Sequence, residues 1–369
     1  MLIKNLPIII IIIFTLISCE TDQKTTDPKL TEARRMVDST MEAHNLVGLA
    51  ITIIKDGNII FSEGFGYANL EAQTQVHPEN TMFRVGSISK PMTVTAIAKL
   101  YEEGKLDIYE DARKYVPYFP KKRYDFTIKQ LAGHMAGIRH YNYSTPGEYI
   151  SKKRYTSVKE SLNVFKDDSL VYKPGEQWKY SSFGFNLLSA VVEGASGQDF
   201  TAYLEEELFT PIGMNHTSPD YSDSVVVGRT GFYEFDSASM KIINGEFADN
   251  SYKWAGGGFL SSSVDLARFG WAWHSNQIVS DSIKQLFTTH THLNNGEENR
   301  YALGWTDTGT DVFGKRNYGH GGGAVGGGAL LRIYLDDNLV IAFTKNTWKD
   351  GDIRGVIPKL VELYTNSEE

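Results

Sequence analysis

The spacing of apolar residues predicts the elements at the start of the domain. An apolar stripe repeats every three or four residues, which is typical of an amphipathic helix: Leu30, Ala33, Val37 and Met41. Residues 47–55 and 58–67 then have the composition of strands. They flank Asp56-Gly57, a dipeptide favoured in tight hairpin turns. The pattern therefore predicts a helix followed by a β-hairpin.

A similar pattern returns near the other end of the chain. Residues 329–335 and 339–345 read as strands around a polar turn at 336–338, and 353–364 reads as a closing helix. The middle, from about 80 to 250, is mostly helical patterning broken by long loops. These features predict an α+β fold, in which one antiparallel sheet built from both chain ends is flanked by helices and joined by a mostly helical insertion. A cleft where two such parts meet is a common place for an active site.

The first residues have the pattern of an export signal. Lys4 precedes an apolar stretch at 6–17, which is shorter than the ~20 residues that span a bilayer. The stretch ends in Leu16-Ile17-Ser18-Cys19, which resembles the lipobox of bacterial lipoproteins, and Cys19 is the only cysteine. We expect a lipoprotein signal peptide at 1–18, lipidation at Cys19, a polar tether at 19–28 and a single domain at 29–366. That organisation predicts an exported protein anchored by lipid to the bacterial cell envelope, on its periplasmic or surface face.

Ser87-Ile88-Ser89-Lys90 is the first motif with chemical meaning. It opens a predicted helix, with Pro91 tolerated in the first turn. Residues three apart share a helix face, so Lys90 can lie beside the Ser87 hydroxyl. A serine is a poor nucleophile until a neighbour takes its proton, and burial lowers the pKa of a lysine enough for it to do so. A chain of this length contains about one such match by chance, so the motif needs support from other residues.

Two further segments supply candidate residues. Tyr180-Ser181-Ser182 precedes an apolar helical run, where a phenol beside an ammonium would have a lowered pKa and could move protons. A core tyrosine before a helix is the alternative interpretation of Tyr180. His320-Gly321-Gly322-Gly323 precedes a predicted strand, and its glycines would let a substrate lie against the strand edge while a backbone N–H completes an oxyanion hole.

The glycines at 321, 323 and 326 also match the dinucleotide-binding pattern. That pattern must open a helix, whereas these glycines lead into residues 329–334, which read as a strand. The dinucleotide interpretation is therefore rejected.

The three motifs in this order resemble the serine β-lactamase and penicillin-binding-protein family, on its class C and D-alanyl-D-alanine carboxypeptidase side. Residues 127–138 are similar to that family's L-x-x-H-x-S-G-I segment, with Ala136 where serine is usual. Residues 211–214, 255–261 and 301–305 also fit. The segments 180–197 and 320–327 are most similar to the branch that contains the mitochondrial β-lactamase-like serine protease.

The resemblance implies a role for each motif. Ser87 would be the nucleophile, Lys90 its proton partner and Tyr180 the general base and acid. The backbone N–H groups of Ser87 and Gly323 would form the oxyanion hole.

The substrate-binding set implied by the resemblance comprises Ser182, His320, Gly321 and Gly322. Two of these depart from the family pattern: Ser182 stands where many relatives have asparagine, and His320 where classical members have lysine. An imidazole with its ordinary pKa near 6.5 is partly charged at pH 7, so we expect His320 to make carboxylate recognition depend on pH.

The predicted function is a serine hydrolase that forms an acyl-enzyme and cleaves a peptide, amide or ester bond, with weak β-lactamase activity as an option. The alternative is a penicillin-binding sensor or binding module that is acylated without turnover. The substrate stays open among a small peptide, a muropeptide and an ester, and the oligomeric state is unknown.

Composition limits the classes of binding partner that the protein can have. A net charge of −8 without a basic run argues against nucleic-acid binding. His290 and His292 lack the neighbours of a metal motif, and His134 is expected to be a structural hydrogen-bonding residue. We infer no metal and no cofactor.

Overall fold

The computed structural model describes residues 27–348 and 353–366. The predicted signal peptide at 1–18, Cys19 and nearly all of the tether at 19–28 lie outside the described residues. Among those that are described, no helix has the length and apolar composition needed to cross a membrane.

Helices occupy both ends of the described chain and much of its middle. In chain order they are α1 (Pro28–Ala43), α2 (Ser89–Glu102), α3 (Ile128–Ala132), α4 (Val158–Ser161), α5 (Ser182–Ser196), α6 (Phe200–Leu204), α7 (Trp254–Gly257), α8 (Ser263–His274), α9 (Asp281–Thr288) and α10 (Ile357–Thr365).

Strands cluster toward the two ends of the described chain. They are β1 (Gly48–Lys55), β2 (Asn58–Asn69), β3 (Thr74–Gln75), β4 (Phe83–Arg84), β5 (Thr217–Pro219), β6 (Tyr233–Asp236), β7 (Lys241–Asn244), β8 (Phe259–Ser261), β9 (Thr291–His292), β10 (Glu298–Asn299), β11 (Thr306–Thr310), β12 (Arg316–Ala324), β13 (Gly327–Tyr334), β14 (Leu339–Lys345) and β15 (Thr347–Trp348).

Within the described residues, the main sheet has seven antiparallel strands in the order β11-β12-β13-β14-β1-β2-β3. The N-terminal hairpin and the C-terminal strands meet where β1 pairs with β14, with Leu49 opposite Lys345. The predicted α+β fold, with one antiparallel sheet built from both chain ends, is therefore confirmed. Smaller sheets accompany it: β9 with β10, β4 with β8 and β5, and β6 with β7 and β15.

Alternation along the central strands gives the main sheet two buried faces. In β13, Leu331 and Ile333 point into the large core that contains α2 and α5, whereas Leu330 and Tyr334 point into a second core under α1 and α10. This follows from the two-residue side-chain period of a strand. The stripe predicted for the first helix is also confirmed, since Ala33 and Val37 are fully buried in that second core.

The insertion between the sheet halves brings α2 and α5 side by side against α7. The turn that precedes α2, Gly86–Ile88, packs on β12 of the sheet. The predicted mostly helical insertion therefore meets the sheet at the segment that carries Ser87.

Candidate active site

Ser87 lies in the tight 3-10 turn Gly86–Ile88, which leads directly into α2. Gly86 has φ +50°, and a Cβ there would lie 2.5 Å from the Gly323 carbonyl oxygen and 2.6 Å from the Gly323 nitrogen. A side chain at residue 86 would therefore be both strained and overlapping. Glycine at this position lets the Ser87 turn approach β12 closely enough to bring the backbone of Gly323 beside the serine.

The same close approach explains the glycines of β12. A Cβ on Gly322 would lie 1.9 Å from the Val85 carbonyl oxygen and 2.9 Å from the Ser87 nitrogen. Only Arg316–Gly319 of β12 pair with β11, so the segment from His320 to Ala324 continues past that pairing with β13 on its other side. Gly321 and Gly323 are exposed there. The structure thus brings the predicted glycine segment against Ser87.

Lys90 is fully buried, and its amine is surrounded by oxygens. The Lys90 Nζ atom lies 3.0 Å from Ser87 Oγ, 3.0 Å from Ser182 Oγ and 2.5 Å from the Gly256 carbonyl oxygen. All three partners are uncharged. Burial, followed by repulsion from Lys253, holds the pKa of Lys90 well below its usual range, because no counter-charge offsets the lost hydration.

The three contacts suit a neutral amine. The Gly256 carbonyl can only accept, so Lys90 donates one N–H there, and the second N–H can go to Ser182. The remaining lone pair then faces the Ser87 hydroxyl, which becomes the donor. This arrangement places a proton acceptor at hydrogen-bond distance from the candidate nucleophile.

Tyr180 is held just before α5, where the Ser181 hydroxyl caps the helix by accepting from the Gly184 N–H. Its phenol makes a hydrogen-bonding contact with Ser87, and Lys90 Nζ lies 4.7 Å from its ring centroid. Burial raises the pKa of Tyr180, with a smaller opposing contribution from Ser87. The sequence-based expectation of a lowered pKa is therefore wrong, because the buried neighbouring lysine itself favours the uncharged form.

Ser182 lies in the site, where its hydroxyl contacts the Lys90 amine. It is the first residue of α5, and its side chain is buried between Lys90 and Tyr141. Its backbone N–H donates to His140 Nδ1 at 3.1 Å. The hydroxyl is thus already engaged by the lysine, and a contact between Ser182 and a substrate stays a prediction.

His320 is buried within β12 and is neutral. Its Nδ1 lies 2.5 Å from the Gly321 carbonyl, which can only accept, so Nδ1 carries the proton. Its Nε2 therefore accepts from the Tyr301 hydroxyl at 3.0 Å. Burial, followed by repulsion from Lys90, lowers the pKa of His320 to about 3. The prediction of an imidazole that is partly charged at pH 7 is wrong, because its surroundings are dry and both ring nitrogens are occupied.

His134 holds the segment that leads to Tyr180, as predicted. Its Nδ1 accepts from the Ser181 N–H at 3.1 Å, and its carbonyl accepts from the Lys179 N–H and the Tyr172 hydroxyl. The His134 ring lies 4.4 Å from the Tyr180 ring, between centroids. It is therefore a support for the site.

His290 and His292 lie at the short sheet formed by β9 and β10. His290 lies between two carboxylates, with Nδ1 2.8 Å from Glu298 and Nε2 2.7 Å from Asp307. Within the ranges 27–348 and 353–366, no group of three or more His, Cys, Asp or Glu side chains is placed to hold a metal ion.

Several side chains near Ser87 were missed by sequence reasoning. They are Tyr301, which bonds His320; His140, which accepts from Ser182; Tyr141, which contacts Ser182; and Lys253, whose charge acts on Lys90. Tyr301 belongs to a segment that the family resemblance flagged without giving it a role. The others come from loops whose sequence shows no motif, so only their packing reveals them.

Comparison with known proteins agrees with this geometry. The family model described as Beta-lactamase matches residues 33–364. The human mitochondrial serine beta-lactamase-like protein LACTB is 30% identical over 87% of this chain and 74% of its own. Penicillin-binding protein 4* of Bacillus subtilis is 27% identical, with 87% and 72% covered.

A solved structure has a similar fold. The octameric penicillin-binding protein homologue from Pyrococcus abyssi superposes with a TM-score of 0.72 at 26% identity, covering 86% of this chain and 73% of that one. Since the family model spans most of the chain, and the human relative is 30% identical over most of both lengths, the chain belongs to the beta-lactamase family.

Proposed function

We propose that this protein is a serine hydrolase that forms an acyl-enzyme at Ser87 and cleaves a peptide, amide or ester bond. One observation carries the proposal: a fully buried lysine, with only uncharged oxygen partners, lies 3.0 Å from the hydroxyl of the partly buried Ser87. A buried ammonium without a counter-charge is costly, so the lysine favours its basic form. A basic amine at that distance is what an acyl-transfer serine needs.

Acylation can be followed atom by atom. The Ser87 proton passes to Lys90 Nζ as the serine oxygen bonds the substrate carbonyl carbon, which leaves an ammonium and an oxyanion. The backbone N–H groups of Ser87 and Gly323 are the proposed donors to that oxyanion, supported by the contact of the Ser87 turn with β12. The carbon–leaving-group bond then breaks, and the leaving group takes a proton.

Tyr180 is the proposed donor of that last proton. Its raised pKa keeps it a phenol, so it can give a proton to the leaving group and regain one from the Lys90 ammonium. The base in the resting enzyme is then Lys90 rather than a tyrosinate. This modifies the role implied by the family resemblance, in which Tyr180 was base and acid.

The substrate class remains a proposal with three members: a small peptide, a muropeptide or an ester. The names of these relatives refer to β-lactamase and to penicillin binding. Weak β-lactamase activity is therefore part of the proposal as well. The neutral His320 gives no support for reading a substrate carboxylate through charge at that position. Uncharged esters and amides are therefore the first substrates to test.

The decisive experiment follows covalent adducts by mass. The purified protein is incubated with a fluorophosphonate and, separately, with a fluorescent penicillin, and the adduct is followed over time. We expect labelling of wild type, none of Ser87→Ala, and full labelling of Ser144→Ala, which removes an exposed serine from the nearby loop. Loss of a nucleophile in a comparable acyl-transfer enzyme costs about 10⁶ in rate.

The time course also separates turnover from sensing. A penicillin adduct that decays, together with hydrolysis of an ester substrate, supports the hydrolase. A penicillin adduct that persists, without ester or amide turnover, would replace the proposal by a penicillin-binding sensor. Labelling that survives in Ser87→Ala would remove Ser87 as the nucleophile.

We also propose that Cys19 anchors the protein to the bacterial cell envelope through lipid. The supporting observation is the sequence pattern that ends at this cysteine. Cys19→Ser should release the protein from membranes, or leave an uncleaved precursor, while keeping its hydrolase activity. Palmitate-labelled protein in the Cys19→Ser strain would contradict the anchor.

A further inference from the structure

Lys253 is a second buried lysine that the proposed mechanism does not use. Its side chain is packed among three tyrosine rings, with Nζ 4.7 Å from the Tyr149 centroid, 5.2 Å from Tyr252 and 5.7 Å from Tyr141. Its amine donates a hydrogen bond to the Tyr149 carbonyl at 3.2 Å. Tyrosine faces stabilise a cation only partly, so this ammonium is retained at a cost.

A short path of backbone and hydrogen bonds joins Lys253 to Lys90. Lys253 precedes α7 directly, and its carbonyl accepts from the N–H groups of Gly256 at 3.0 Å and Gly257 at 2.8 Å. The carbonyl of Gly256 is the group that accepts from Lys90. Thr93 of α2 also donates to the Ala255 carbonyl at 3.1 Å. The single turn of α7 thus fixes the position of Lys253 relative to the proposed base.

The Lys90 and Lys253 amines are both buried, and the charge of Lys253 acts on Lys90. Two ammonium groups at close range in a medium of low dielectric repel each other strongly, so the more buried one gives up its proton more easily. For Lys90, repulsion from Lys253 is the largest contribution after burial. Nearby lysines that lower one another's proton affinity are a known way to activate an amine.

We propose that Lys253 is a positioning residue for the reaction at Ser87: its buried amine and the turn of α7 hold the Lys90 amine in place and favour its uncharged, proton-accepting form. This inference rests on the proposed acylation. Packing alone does not explain a buried amine at this position, because an apolar side chain would fill the same space without the desolvation penalty. A role in the reaction does explain it.

Every charged group that faces the two lysines has to be considered. Around Lys90, the imidazoles of His134, His140 and His320 all have pKa values lowered first by burial, to about 4 for His140 and about 3 for His320, so they stay neutral near pH 6 to 8. The phenol of Tyr180 has a raised pKa and is also neutral there.

Around Lys253, burial is the largest cause and Arg84 the next in lowering its pKa to about 7, while Asp220 and Asp249 act in the opposite direction. Lys253 therefore carries its charge mainly below pH 7. Its effect should be largest on the acid side of the activity profile.

The test is the pH profile of Ser87-dependent acylation, measured as kcat/KM for an uncharged aryl ester from pH 5 to 9. Lys253→Met and Lys253→Gln remove the charge, so Lys90 should bind its proton up to a higher pH. We expect the acid limb to move up by about one pH unit, a tenfold loss at pH 6 that shrinks toward the alkaline plateau. Lys253→Arg restores a permanent cation and should keep the limb at or below its wild-type position.

Controls separate this role from others. Lys152→Met removes an exposed lysine paired with Glu246 and should leave the limb in place. A limb unmoved in both neutral variants would overturn the inference, as would an equal loss at every pH in all three variants, which is the result of a structural role. Absence of Ser87-dependent acylation in wild type would instead overturn the proposed function. If Lys253→Met fails to fold, the glutamine variant decides.

Discussion

Two buried basic side chains lie six residues apart, one in the strand before Ser87 and one in the helix after it. Arg84 of β4 is bound by a carboxylate and two carbonyls: Asp220 at 2.7 Å, Val325 at 3.0 Å and Ala248 at 2.9 Å. Lys90 of α2 has three uncharged oxygens instead. Both side chains are almost completely buried.

The difference separates a structural charge from a reactive one. Asp220 offsets the burial of Arg84, and the guanidinium joins β4 to the turn that follows Gly323. Lys90 has no such compensation, so its proton is easily lost. A buried basic side chain therefore contributes to stability when a carboxylate pairs with it, and becomes reactive when its partners are uncharged. A given buried cation can be assigned to one kind or the other by whether its loss reduces stability or rate.

The largest expected effect is on rate, at Lys90. Lys90→Met should slow acylation by about 10²–10⁴, the usual range for a general acid–base group, while the free energy of unfolding stays within about 1 kcal/mol of wild type. Stopped-flow ester hydrolysis and urea unfolding measure the two. Lys99→Met, which removes a partly exposed lysine paired with Glu103 on the same helix, is the matched control. A large loss of stability in Lys90→Met would erase the distinction drawn from Arg84.

At Arg84 the expected effect is on stability. Arg84→Met takes from the buried Asp220 carboxylate its nearest cation, and leaves it Arg229 at 3.6 Å and Asn250 at 2.8 Å. Breaking a buried pair by removing one partner costs about 3–5 kcal/mol. Urea unfolding measures this, and the double variant Arg84→Met with Asp220→Asn should recover part of it. If the single variant is as stable as wild type, Arg84 is not the structural counterpart of Lys90.

His290 should give a smaller effect that depends on pH. The hydrogen bond that the imidazole donates to Glu298 is the largest cause of its raised pKa, and the pKa of Glu298 is lowered in return. Stability from the protonated imidazole is therefore fully present below pH 6.5 and is lost as pH rises through the raised value. His290→Gln should cost less than about 1 kcal/mol at pH 5.5 and nothing at pH 8.5, by thermal unfolding. An equal cost at both pH values would mean that the charge is not responsible.

The smallest expected effect is at His320. With its pKa lowered to about 3, this imidazole stays neutral throughout the working range. The ratio of kcat/KM for a carboxylate substrate over its matched ester should then change less than about twofold between pH 5.5 and 8, after correction for ionisation of the substrate. A ratio that falls steeply across this range would restore the charge-reading role expected from sequence.

The features predicted well from the sequence depend on residues that are close to one another along the chain. The pairing of Ser87 with Lys90 follows from three residues of helix, and the central strands follow from alternation and turn residues. The charge states of Tyr180 and His320 were predicted wrongly because each depends on burial by segments far away in the sequence. Lys253 was missed for the same reason: its relation to Lys90 exists only once α7 packs on α2.

Glycine illustrates the limit in another way. The run at 321–323 was expected to let a substrate lie against the strand edge, which stays a prediction, and at Gly322 the chain's own Ser87 turn is what lies close. Sequence shows that space is needed, whereas only the fold shows what fills it. The same holds for Ser182, which was expected next to a helical run but whose hydroxyl contacts Lys90.

The pairing of the two chain ends has a consequence for synthesis. The Val47 N–H donates to the Thr347 hydroxyl, 300 residues further along the chain. Strand β1 pairs with β14 at the same junction. Contacts of such high sequence separation form late, because the loop between them must first be closed. A nascent chain leaving the ribosome therefore carries its first hairpin with one strand edge unsatisfied until β14 has been made. Truncation near residue 339 would leave the two halves of the main sheet without the strand that joins them.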